Sequence, residues 1–143
     1  MVLAFRSASG YGASLMTIDR SEAAPNPPEA ISAVLPLLVV RDVAAAASFY
    51  RAAFGARAEA DGAIAIGATR LRLVAADRAR GLLGPESFGG APVLFALAAA
   101  DPEATAAHAV ANGAALLRDV PGLGALVVRD PFLHLWRVDA QPM

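Results

Sequence analysis

PLLVVRDVAAAASFYRAAFGA, residues 36–56, sets out a strand, a cap, a helix and a stop in one uninterrupted stretch. The apolar, β-branched run 33–40 reads as a short strand buried on both faces. Asp42 follows it, and an aspartate placed there can accept hydrogen bonds from the free N–H groups of a first helical turn. The helix then runs from Val43 to about Phe54. Val43, Ala46, Ala47, Tyr50, Ala53 and Phe54 recur at helical spacing and are expected to face a sheet. Gly55 ends the helix, as a glycine after the last turn commonly does.

Reading outward toward the C-terminus, three short strands are expected at 56–60, 63–66 and 70–75. Asp61-Gly62 and Gly67-Ala68-Thr69 separate them as hairpin turns. The glycine-rich stretch 78–91 reads as a linker, after which the pattern starts again. A strand at 92–97 precedes Asp101, a second capping aspartate, and a helix with Pro102 in its first turn. Gly113 closes that helix, and strands follow near 115–118, 125–128 and 134–138. Asp42 and Asp101 stand about 59 residues apart, each ahead of an alanine-rich helix and a set of short strands. The chain is thus an internal duplication of one βαβββ unit. Neither unit can cover its own apolar face, whereas two together can.

Toward the N-terminus the character changes. Ser7, Ser9, Gly10, Gly12 and Ser14 form a weakly ordered stretch, and Pro25, Pro27 and Pro28 a breaker cluster. Residues 1–30 are therefore expected to be an extension or arm, and Met16 offers a second possible start. The globular domain is assigned to 31–139, with modules at about 31–77 and 92–139 and the linker 78–91 between them.

Composition limits the chemistry. The chain has 143 residues, of which 57% are hydrophobic and 17% charged, with a formal net charge of −1. It has enough core material for one globular domain. No basic stripe exists to neutralise phosphates, so nucleic acid is not an expected partner. All 12 basic residues are arginines, which removes lysine Schiff-base chemistry. Cysteine is absent, and with it thiol nucleophiles, disulfides and thiolate metal sites. No apolar run approaches the roughly 20 residues of a membrane helix, and no secretory leader is evident. A cytoplasmic location, without membrane association, is the expectation.

At this point the residues carry a family resemblance. Pro36-Leu37-Leu38-Val39-Val40-Arg41-Asp42, then Phe49-Tyr50 and Phe54-Gly55-Ala56, resemble the opening of the vicinal oxygen chelate superfamily. That superfamily includes glyoxalases, extradiol dioxygenases, fosfomycin-inactivating enzymes and bleomycin-binding proteins. Ala111-Asn112-Gly113-Ala114 fits the same pattern. Arg129-Asp130-Pro131-Phe132, with His134 and Trp136, looks like the family's C-terminal hairpin. The resemblance implies an α+β fold of two tandem βαβββ modules forming a curled mixed sheet around a cleft, often completed by a second subunit as a homodimer. It also implies where metal-dependent members hold their ligands. The histidine expected seven residues before each capping aspartate falls on Leu35 and on Leu94. The glutamate expected seven residues after the hairpin aspartate falls on Arg137, and the remaining ligand would lie within 70–74, where no Asp, Glu or His stands. A metal needs lone-pair donors that leucine lacks and that a guanidinium cannot supply. No metal and no cofactor are expected.

The other candidates are weighed the same way. His108 reads as an ordinary helix residue, and His134 as a packed, hydrogen-bonded residue in phase with Trp136 and Val138. Along 70–75, Leu71 and Leu73 take one face, which turns Arg72 toward the cleft. Leu135 and Arg137 oppose the His134/Trp136 face. Arg72 and Arg137 are candidate anchors for an anionic or carbonyl group, or else members of solvated ion pairs with Glu59 or Asp61. Of Leu35, Leu37, Val39, Leu94, Phe95 and Leu97, about half should line the cleft, because strand side chains alternate. The candidate ligand-binding set is Leu35, Leu37, Arg72, Leu94, Leu135 and Arg137, and no catalytic residue is assigned. Leu82, Leu83 and Phe88 form a lid or an exposed loop. Leu133 occupies a hairpin position where the family carries glycine at positive φ, so that turn is expected to be remodelled. The leading expectation is a metal-free protein that binds a partly hydrophobic small organic molecule, without enzymatic activity. Two alternatives stay open: a lyase or dioxygenase-like enzyme working on a carbonyl or aromatic substrate through another site, and a structural module whose cleft is filled by its own side chains.

Overall fold

The computed structural model describes residues 2–6, 15–19 and 30–142. It divides into two units, 1–34 and 35–143. In the first, strands β1 (Val2–Arg6) and β2 (Leu15–Asp19) pair antiparallel, Val2 beside Asp19 and Arg6 beside Leu15. The sequence reading assigned no strands there. The serine–glycine stretch and the proline cluster, on which the weakly ordered arm was argued, lie outside the described residues.

The second unit is built twice over. Its first module runs β3 (Leu37–Val40), α1 (Val43–Phe54), β4 (Arg57–Ala58), β5 (Ile64–Ile66) and β6 (Thr69–Ala75). The second runs β7 (Leu94–Ala99), α2 (Pro102–Ala111), β8 (Ala115–Val120), β9 (Gly124–Arg129) and β10 (Leu135–Ala140). Strand order is β3-β6-β5-β4 in one sheet and β7-β10-β9-β8 in the other. In each, the first and last strands pair in parallel and the rest antiparallel. The chain is an α+β fold of two tandem βαβββ modules, and neither sheet is closed.

The duplication is carried by matched caps. The Asp42 carboxylate accepts from the Ala45 amide at 3.0 Å, and the Asp101 carboxylate from the Ala104 amide at 3.0 Å. Gly55 then stops α1 in the left-handed region at φ 67°. Four residues of α1 are buried, Ala46, Phe49, Tyr50 and Ala53. Phe49 takes the place expected of Val43, which is 38% exposed, because the helix turns its aromatic side toward the second module. One core joins both halves: Leu38, Val40 and Leu71 of the first sheet pack with Leu126, Val128, Trp136 and Val138 of the second. Ala46, Ala53, Ala106 and Ala109, all buried, keep the helices slim where they meet.

Three further expectations are corrected, and the linker gains detail. The first strand is half the length read from sequence: pairing begins where the Arg72 amide donates to the Pro36 carbonyl, and 31–34 is exposed. It is also buried on one face rather than both, since Leu38 and Val40 are covered while Leu37 is 57% exposed. The stretch 78–91 carries two short turns. Asp77 caps a 3-10 turn at Arg78–Arg80 and bridges to Leu82, and Pro85–Ser87 forms a second such turn. The hairpin before β10 is not remodelled: Leu133 adopts φ 72°, taking the left-handed conformation at a cost of roughly 1–2 kcal/mol. Among the described residues no helix is long and apolar enough to cross a membrane.

Candidate ligand-binding site

Where the two modules meet, three aromatic rings converge. Trp136 stacks on Phe95 with centroids 4.6 Å apart and sits 5.0 Å from Phe54. The indole is held in place from behind, because its Nε1 donates to the Asp130 carboxylate at 2.9 Å. Asp130 is 1% exposed, yet it is fully answered. Its other donors are the Tyr50 hydroxyl and the backbone amides of Phe132 (2.8 Å) and His134 (3.1 Å). Burial and the neighbouring Asp130 charge push the Tyr50 hydroxyl well above its ordinary pKa. The phenol therefore stays a donor, as the carboxylate requires.

In front of the rings lies a pocket of about 550 Å³. The first module contributes Pro36, Ala53, Phe54, Leu71 and the β5–β6 turn at 66–69. The second contributes residues 95–100, Thr105 and Trp136. Phe54, Phe95 and Leu97 are only half-buried, and the pocket is where their remaining surface shows. The lining is apolar apart from backbone groups and the Thr69 and Thr105 hydroxyls. A concave, largely apolar enclosure with few polar groups is how small-molecule sites are commonly built.

None of the six residues singled out from sequence lines this pocket. Leu37 and Arg72 lie side by side across the β3–β6 pair, on the sheet face away from α1. Leu94, Leu135 and Arg137 share the corresponding face of the second sheet, with Leu94 beside Leu135. Leu35 precedes the first strand. Both arginines are engaged within their own modules. Arg72 donates to the Asp61 carbonyl at 2.9 Å, leaving its Nε buried without a partner. Arg137 donates through Nε to Asp139 at 2.8 and 3.1 Å. Asp61 pairs mainly with Arg70, whose guanidinium holds that exposed carboxyl below the usual range. Leu82, Leu83 and Phe88 do not reach the pocket. His108 is exposed, and His134 is buried with its Nε2 2.8 Å from the Val39 carbonyl, a bond that ties the modules together.

The aromatic wall was half visible in the sequence. Phe95 and Leu97 stood among the alternating candidates, but the opposite phase, Leu94, was favoured. The useful signal was that Phe95 shares its phase with Trp136 through the parallel register.

The glyoxalase-like domain model matches residues 36–138. This chain belongs to the glyoxalase-like domain family. The family lies within the vicinal oxygen chelate superfamily, and the matched region takes in the pocket and both modules except the last two residues of β10. No protein of curated function matches the chain. Among solved structures it is similar to a gene product of Arabidopsis thaliana, with a TM-score of 0.66 at 24% identity over 77% of this chain and 99% of that one. A glyoxalase/bleomycin resistance protein/dioxygenase family enzyme from Burkholderia phytofirmans gives 0.56 at 21% identity over 73% and 94%. The fosfomycin resistance protein FosX from Mesorhizobium loti gives 0.58 at 14% identity over 77% and 92%. These likenesses establish the fold.

The glyoxalase-like chain does not fit the metal that the superfamily implies. Leu35, Leu94 and Arg137 stand at the inferred ligand positions, and β6 presents Arg70, Arg72 and Val74 on that face. Among the described residues no group of three His, Cys, Asp or Glu side chains converges as a metal site would need.

Proposed function

We propose that this glyoxalase-like protein binds a partly hydrophobic small organic molecule in the pocket between its modules, without a metal ion. The observation that carries the reading is the wall of Phe54, Phe95 and Trp136 facing a pocket of about 550 Å³, within the usual size range of roughly 300–1,000 Å³ for ligand sites. The metal-free part is supported by donor chemistry. Leucine offers no lone pair, and the Arg137 cation repels a second cation. The homodimer and the cytoplasmic location expected from sequence belong to the same proposal. Leu37 at 57% and Leu94 at 39% exposure leave apolar surface on the sheet faces for a second copy to cover.

Trp136 is the chain's sole tryptophan, so the pocket contains its own reporter. Apolar aromatic probes should shift Trp136 emission and raise the melting temperature together. Filling the pocket from its exposed rim with Thr69→Phe should abolish both effects in a protein that still folds. A stoichiometric divalent ion retained after purification, or tight calorimetric binding of manganese or zinc, would overturn the metal-free reading.

A further inference from the structure

Both phases of one strand border the pocket. Phe95, Leu97 and Ala99 of β7 turn toward the helix layer. Ala96 and Ala98 stand beside Arg137 and Asp139 on the opposite face. Yet the whole run 95–100 lines the cavity. Side chains alternate across a strand, so a cavity that touches every consecutive residue meets the strand along its edge. β7 ends its sheet, and β10 is its one neighbour among the described residues.

One bond fixes which backbone groups face out. The Gln141 amide donates to the Ala99 carbonyl at 3.0 Å, so Ala99 directs its backbone toward β10. Hydrogen-bonding direction alternates along a strand as the side chains do. Phe95, Leu97 and Ala99 thus direct their N–H and C=O groups to β10. Ala96 and Ala98 direct theirs away from it, along the border of the pocket. Of the lining side chains, only Thr69 and Thr105 add hydroxyls, and the Trp136 nitrogen is already committed to Asp130.

We infer that the pocket takes a compact peptide-like ligand: an extended N-acylated amino-acid amide whose single residue pairs through its N–H and C=O with the outward groups of Ala96 and Ala98, its flat apolar side chain against Phe54, Phe95 and Trp136. This rests on the pocket being the ligand site. A strand edge offers a donor and an acceptor side by side. A trans amide points its N–H and C=O in opposite directions, so the two amides flanking one residue are needed to answer both, whereas the analogue with an ester oxygen in place of that residue's N–H answers the donor alone. Addition of an extended group to a free edge is an established mode of recognition, with affinity from main-chain bonds and selectivity from the neighbouring side-chain pockets.

The test compares N-acetylphenylalanine N-methylamide, its ester analogue with oxygen in place of the acetylated N–H, and toluene by titration against Trp136 fluorescence, with melting temperature as a second readout. The amide should bind tightest, with the ester about tenfold weaker for the lost donor. Proline is tolerated on an edge strand where the missing N–H faced away from the ladder. Ala98→Pro should therefore fold and weaken the amide and the ester alike, since both accept from the N–H that proline lacks, while the amide stays the tighter of the two through its own N–H; an amide affinity unchanged in this variant overturns the inference. Equal binding of amide and ester alongside bound toluene overturns this inference and leaves the pocket reading standing. No binding by any of the three overturns both. If circular dichroism shows that Ala98→Pro does not fold, the amide–ester comparison on the unmodified protein decides alone.

Discussion

The Tyr50 hydroxyl, on the helix of the first module, donates to the buried Asp130 carboxylate in the hairpin of the second. Eighty residues separate them in sequence, and the bond crosses the seam between the two repeats. Asp130 also orders its own hairpin and fixes the indole of Trp136, so one carboxylate serves the fold, the seam and the pocket wall.

Removing that acceptor leaves its donors buried without partners. Asp130→Ala is expected to lower stability by about 4 kcal/mol, and Tyr50→Phe by about 1–2 kcal/mol, since the remaining donors still satisfy the carboxylate. Urea unfolding followed by circular dichroism measures both. A Tyr50→Phe loss as large as that of Asp130→Ala would place the stabilisation elsewhere.

The same pair sets an alkaline limit. The folded-state pKa of Tyr50 is raised above its ordinary value of 10.0 by burial and by Asp130. The unfolded chain therefore ionises first, so the stabilisation is complete below pH 10 and falls away as pH rises beyond it. With no lysine in the chain, no ammonium group shares that window. The pH dependence of the urea midpoint above pH 10 should flatten in Tyr50→Phe.

Leu133 offers a gain. Its φ of 72° is costly for a leucine, and its side chain is 37% exposed. Leu133→Gly relieves the backbone at the expense of greater freedom in the unfolded chain. The net expectation is a stabilisation of up to about 1 kcal/mol, read as a melting temperature a few degrees higher. A lower melting temperature would mean that the leucine packs more than its exposure suggests.

Gly124 is a position that another residue already occupies. At φ 148° its missing Cβ leaves room for the Arg137 stem, which a Cβ would meet at 2.9 Å. Gly124→Ala should cost about 1–3 kcal/mol through crowding and backbone strain. Adding Arg137→Ala should return part of that loss, so the double variant falls short of the summed effects. Strict additivity in a thermal-unfolding cycle would show that the two do not compete for this space.

Much of this architecture was legible in the sequence because local chemistry writes it there. Asp42 and Asp101 announced both helices, Gly55 closed the first where expected, and His134 is packed and bonded as its strand phase implied. What escaped was relational. Alternation along 33–40 gives two faces, but only the assembled sheet tells which is covered, so the run as a whole read as buried on both. The same limit hid the pocket. Phe54 and Trp136 read as faces packed between helix and sheet, and Phe95 as one of two possible phases; the three become a wall only where the free side of β7 meets the other module.

The seam also makes the two repeats unequal. One repeat length beyond Tyr50, the second helix carries Ala109, a residue with nothing to donate. A chain assembled from two first halves would hold two phenols and no acid to receive them, and one from two second halves the reverse. The ancestral duplication has thereby become a lock with distinct left and right pieces, and exchanging them is no longer neutral.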